Sequence, residues 1–121
     1  MNILYLPLEI FNEILKYLTI KEICKLLLIS KSFQKIFLSN KIKLDLNFSK
    51  TNIHDEYFKY FKYLHIVNLN QCKQITDKGV SFLKNVHTIN LSHCNQIINE
   101  GLSFLKNVHN INLSHCDDKI I

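Results

Sequence analysis

The sequence predicts an α/β chain, with three short helices over roughly the first 40 residues and then stacked strand–helix units sharing a parallel sheet. Three observations lead there. A near-identical segment recurs every 22 residues through the second half. Apolar residues at helical spacing, with a capping pattern, fill the first half. Hydrophobic residues make up 47% and charged residues 21% of the 121, the balance of a chain that folds.

The recurring segments are HIVNLNQC (65–72), HTINLSHC (87–94) and HNINLSHC (109–116), and GVSFLKNV (79–86) returns as GLSFLKNV (101–108). A fixed period of this size marks stacked units, each too small to bury its apolar side alone. Within one unit, Ile89 and Leu91 are two apart and share a strand face, leaving Thr88, Asn90 and Ser92 on the other. A turn follows at Cys94, then a helical stretch over 99–106 that points Leu102 and Leu105 inward.

A weaker copy lies upstream. Leu44, Leu46 and Ser49 align with Val67, Leu69 and Cys72 at a shift of 23, whereas Ile53, Phe58 and Phe61 align with Ile75, Val80 and Leu83 at 22. One inserted residue reconciles the two. Four strands are expected near 43–47, 66–70, 88–92 and 110–114, with three helical connections between them. Right-handed crossovers make such a sheet parallel. Its open face is expected to carry Asp45, Asn47, Asn68, Asn70, Thr88, Asn90, Ser92, Asn110, Asn112 and Ser114, mostly small and uncharged. The fourth strand has no evident cap, and an unpaired edge can template self-association.

In residues 1–40, Pro7 suits a first helical turn and Glu9 complements its positive end. Ile10, Phe11, Ile14, Leu15 and Leu18 follow at helical spacing. Thr19 and Glu22 form a capping box that starts a second helix with Ile23, Leu26, Leu27 and, at its end, Ile29. Ser30 or Ser32 caps a third, which contains Phe33, Ile36 and Phe37.

Two resemblances follow. The repeat, over about residues 42–116, resembles the cysteine-containing leucine-rich repeats of many F-box proteins, where the strand face of the solenoid binds a partner protein. The segment Leu6-Pro7-x-Glu9, Ile14-Leu15-x-x-Leu18 and Ile29-Ser30-Lys31 resembles an F-box, with Thr19 where many members have proline and Phe33 where many have tryptophan. Together they imply an F-box domain at 1–40, repeats at 41–121, and the F-box/leucine-rich-repeat family. The implied function is a non-catalytic adaptor of a Skp-cullin-F-box-type ubiquitin ligase. Its helices would dock on the Skp-type adaptor of the cullin complex through Leu6, Pro7, Ile10 and Ile14. Its repeats would hold an unknown protein substrate on Asn68, Asn70, Thr88, Asn90, Ser92, Asn110, Asn112 and Ser114. The competing reading is a plain repeat interaction module, without a ligase role, whose helices only cap the stack.

The remaining features point away from other classes. The net charge is +5, but all basic residues are scattered lysines. Without arginine there is no bidentate reader of guanine, so no nucleic-acid partner is expected. Apolar runs such as Leu26 to Ile29 are far short of the ~20 residues a span needs, so no membrane partner is expected either. The four cysteines then read as reduced thiols of a cytoplasmic or nuclear protein. Cys72, Cys94 and Cys116 fall one per unit, which suits a buried ladder better than a zinc site built from Cys-x-x-Cys pairs. His65, His87 and His109 form a second column, and Asp77 and Asn99 fit capping or turn roles. No nucleophile–base pair or phosphate loop is present in the sequence, and no cofactor or metal is expected.

Overall fold

The computed structural model describes residues 7–39 and 44–116. Three helices open it: α1 Leu8–Lys16, α2 Ile20–Ile29 and α3 Lys31–Ser39. Four strands follow, β1 Leu44–Asn47, β2 Leu64–Asn68, β3 Thr88–Asn90 and β4 Asn110–Asn112. A 3-10 helix, Asp55–Tyr60, links the first two strands. Two five-residue helices, α4 Asp77–Ser81 and α5 Asn99–Ser103, link the others. The sheet is parallel in the order β1-β2-β3-β4, so each crossover carries the chain one strand along. Among the described residues no helix is long and apolar enough to cross a membrane.

The capping box is complete. The Glu22 N–H donates to Thr19 Oγ1 at 3.1 Å, and the Thr19 N–H donates to Glu22 Oε1 at 3.0 Å. The bond from the Thr19 N–H, and after it the Thr19 side chain, hold the Glu22 carboxyl below the usual carboxylate range. Ser30, not Ser32, caps α3, its Oγ accepting from the Phe33 N–H at 3.1 Å.

Strands are shorter than the sequence pattern suggests, and the reason is a turn. Beyond Asn68, Asn90 and Asn112 the chain folds back in four residues, closed by Cys72 N–H to Leu69 O, Cys94 N–H to Leu91 O and Cys116 N–H to Leu113 O. The third residue of each turn is left-handed: Gln71 (φ 61°), His93 (φ 60°) and His115 (φ 59°). That conformation is uncommon outside glycine, and here a non-glycine residue adopts it in every unit. The parallel ladder still continues through the turn, with Leu69 N–H to Asn90 O and Leu91 N–H to Asn112 O, both 2.8 Å.

The first unit corrects the sequence alignment. Leu46 pairs with Val67 and Asn47 with Asn68, a shift of 21 where 23 was expected. Lys50 (φ 62°) takes the left-handed position and Thr51, not Ser49, the place of Cys72. The inward residue is then Phe48, fully buried, which a leucine template passes over. Phe48, Phe58 and Phe61 fill this unit where later ones use Leu69, Val80 and Leu83. The added volume meets the helices: Phe61 packs edge-on against Phe37 (5.4 Å), which touches Phe11 and Phe33 (5.7 and 5.2 Å). Aromatic pairs of this geometry contribute about 0.5–1.5 kcal/mol each beyond their burial. Helices and sheet therefore share one continuous core from Phe11 to Val108.

Successive units are tied on the helical side by a carboxylate. Asp55 accepts from the Thr76 N–H (2.8 Å) and the Thr76 hydroxyl, and Asp77 accepts from the Ile98 N–H at 2.9 Å. Asp77 thus caps the next unit, while Thr76 caps α4 itself by accepting from the Lys78 N–H. This bridging fixes the two glycines. A Cβ on Gly79 would lie 2.4 Å from Asp55 Oδ1, and one on Gly101 would lie 2.2 Å from Asp77 Oδ1.

Candidate protein-binding surfaces

On α1 the chain presents two apolar rows. Phe11 and Leu15 face the core, while Ile10 (48% exposed) and Ile14 (38%) face outward. Pro7 sits at the N-cap, also exposed, its carbonyl accepting from the Phe11 N–H at 3.1 Å. Leu6 lies outside the described residues. Sequence reasoning missed four more exposed apolar side chains on the helical part: Tyr17 (84%), Leu28 (63%), Ile29 (81%) and Leu38 (36%). The signal was available. Ile23 and Leu27 are the buried residues of α2, with Ile20, Cys24 and Leu26 packed beside them, which leaves Leu28 and Ile29 as surplus apolar residues.

The sheet aligns its outward residues in rows. Asp45, Ile66, Thr88 and Asn110 are in register, as are Asn47, Asn68, Asn90 and Asn112. The asparagine row is committed to the turns. Each Oδ1 accepts at 2.9 Å from the backbone N–H two residues on, at Ser49, Asn70, Ser92 and Ser114. Ser92 corrects the expectation of an open-face residue. It is buried, and its hydroxyl reaches Asn70 Oδ1 at 2.8 Å and Asn90 Oδ1 at 2.7 Å. Strand alternation has ended at Asn90, so Asn70, Ser92 and Ser114 belong to turns and not to the strand face. Thr88 and Asn110 remain on the face, linked by Asn110 Nδ2 to Thr88 Oγ1 at 3.4 Å, with half-exposed Ile66 beside them.

Two histidine columns flank this face. His65, His87 and His109 have ring centroids 4.9 and 4.5 Å apart, the second pair stacked. His93 and His115 stack at 4.6 Å, a column the sequence pattern did not suggest. The thiols form a third column, inside. Cys72, Cys94 and Cys116 donate to the carbonyls of Phe48, Leu69 and Leu91 at 3.0, 3.0 and 3.1 Å. Each receiving carbonyl but the first lies one turn back in a cysteine-bearing unit, so the thiols link neighbouring units. Burial pushes the Cys94 thiol up to about 12. Among the described residues no group of three or more His, Cys, Asp or Glu is arranged to hold a metal ion.

A cleft of about 560 Å³ separates α2 from the segment before the 3-10 helix, with Cys24, Leu28, Ile53 and Tyr57 on its walls. Burial raises the Cys24 thiol to about 11. A second cleft, of about 470 Å³, lies between α1 and β1 and holds Glu9, Glu13 and Asp45.

The geometry is that of a helical module with an outward apolar row, fused through its core to a parallel sheet of small units. Residues 3–45 are an F-box domain by their match to that family model, which covers about a third of the chain. F-box domains bind Skp-type adaptors in cullin complexes, and proteins that carry them are generally non-catalytic. No curated protein matches the chain.

Proposed function

We propose that this protein is the substrate-recognition adaptor of a Skp-cullin-F-box-type E3 ubiquitin ligase, working in the cytoplasm or nucleus. Residues 1–40 dock on the Skp-type adaptor, and residues 41–121 form a short leucine-rich-repeat solenoid that holds a target protein. The F-box match carries the reading. Exposure of Pro7, Ile10 and Ile14 beside it supplies the apolar surface that docking needs. The protein makes and breaks no bonds. It raises the local concentration of its target near a ubiquitin-charged enzyme. Thr88, Asn110 and Ile66 are the best placed residues of the strand face, with Asn68, Asn90 and Asn112 offering their amide NH2 groups.

One observation favours a second reading, in which the helices only cap the repeats and no ligase is involved. Phe37 packs on Phe61, so the helices shield the first unit from water. The same contact makes deletion of the helices a poor test, because it would uncover the sheet's core. Substitution is cleaner. Ile10→Glu with Ile14→Glu should weaken binding to a purified Skp-type adaptor by about tenfold or more, the loss of one or two buried aliphatic contacts. Helical circular dichroism should not change. No adaptor binding by the unaltered protein would favour the capping reading.

A further inference from the structure

The lysines that look scattered in the sequence are ordered by the fold. Residues 57–116 contain Lys59, Lys62, Lys73, Lys78, Lys84 and Lys106, against only Asp77 and Glu100 as acids. Both acids lie in the first turns of α4 and α5, after the strand and its turn. Lys62, Lys84 and Lys106 lie at the opposite end, just before each strand, three residues ahead of His65, His87 and His109. The histidine rings stack there, and the backbone is in phase, with His87 N–H to His65 O at 2.8 Å and His109 N–H to His87 O at 3.0 Å. The three lysines therefore occupy the same position in consecutive units, whose paired strands are about 4.8 Å apart. All three are exposed, and among the described residues none makes an ion pair, the salt bridge found being Lys16 to Glu13.

A row of like charges at this pitch, without internal partners, is matched by an anionic strand lying across it. We infer that the strand-entry end of the sheet is a docking edge for an extended, carboxylate-rich segment of a partner protein. In an extended peptide alternate side chains are about 6.8 Å apart, a spacing flexible lysines can meet from a row of this pitch. The stacked imidazoles add a flat border with ring nitrogens. Nucleic acid is the poorer fit, because the chain has no arginine. The inference rests on the repeat half being a protein-binding surface, and it is independent of adaptor docking.

The test is fluorescence anisotropy of the full chain with a labelled peptide of alternating glutamate and alanine, at low ionic strength. Changing Lys62, Lys84 and Lys106 together to Gln should weaken binding by about tenfold or more. Changing Lys21, Lys25 and Lys31 to Gln, which removes the same net charge from the helices, should weaken it by less than about twofold. Arginine at the three edge positions should retain binding. Equal losses from both triple variants would reduce the effect to net charge and overturn the inference. Tighter binding of single-stranded oligothymidine through the same lysines would overturn it in favour of nucleic acid. Adaptor capture by the edge variant should be unchanged, which separates this result from failure of the docking helices.

Discussion

Replacing Gly101 with alanine should destabilise the protein, although alanine is the better helix former. The added Cβ would lie 2.2 Å from Asp77 Oδ1 and 2.8 Å from Asp77 Cγ. Asp77 Cα is itself only 3.3 Å away, so the carboxylate has to rotate out and release the Ile98 N–H. A hydrogen bond to a charged acceptor contributes about 1.5–3 kcal/mol. The gain in helix propensity returns up to about 1 kcal/mol. The net loss is about 0.5–2 kcal/mol, read as a lower urea midpoint at unchanged m-value. The double-mutant cycle is decisive. Asp77→Ala removes the carboxylate, so Gly101→Ala on that background should cost nothing or stabilise slightly. Equal cost in both backgrounds would refute the steric reasoning. Gly79→Ala should cost more, since Asp55 holds both the N–H and the hydroxyl of Thr76.

Three further outcomes are expected. Cys94→Ser should lose about 1–3 kcal/mol by thermal or urea denaturation, because the shorter hydroxyl leaves a gap in a fully buried site, whereas EDTA should leave the melting temperature unchanged; a large drop with EDTA would mean that a metal holds the units. Alkaline pH should weaken the fold through the same thiol. Its folded pKa of about 12 lies above the ordinary 9.0, so its contribution is complete below pH 9 and falls by about 1.4 kcal/mol per pH unit from there toward 12; a fall no steeper for wild type than for Cys94→Ala would count against it. Finally, β4 pairs only with β3 among the described residues, and Ile111 is 39% exposed. Amides of 109–114 should exchange well before those of 87–92, and the protein should self-associate as concentration rises; equal protection with a strict monomer would show this edge to be covered.

The capping box at Thr19 and Glu22, the inward residues Ile89 and Leu91, and the thiol column were all legible in the sequence, because each depends on spacing along the chain. Helical and strand periods and a 22-residue repeat are one-dimensional facts, and local hydrogen bonds obey them. What the sequence left open depends on which unit faces which. The shift of 21 in the first unit was decided by Phe48 packing on Phe58 and Phe61, a choice of volume that no leucine template contains. Ser92 went inward because the chain turned at Asn90 and its hydroxyl found two amide oxygens, one of them 22 residues away. Gly101 is required by the Asp77 carboxylate of the preceding unit, and not by any feature of its own helix. Lys62, Lys84 and Lys106 are isolated charges along the chain and become a row only when the strands stack, since proximity across a parallel sheet is set by the crossover and not by sequence distance.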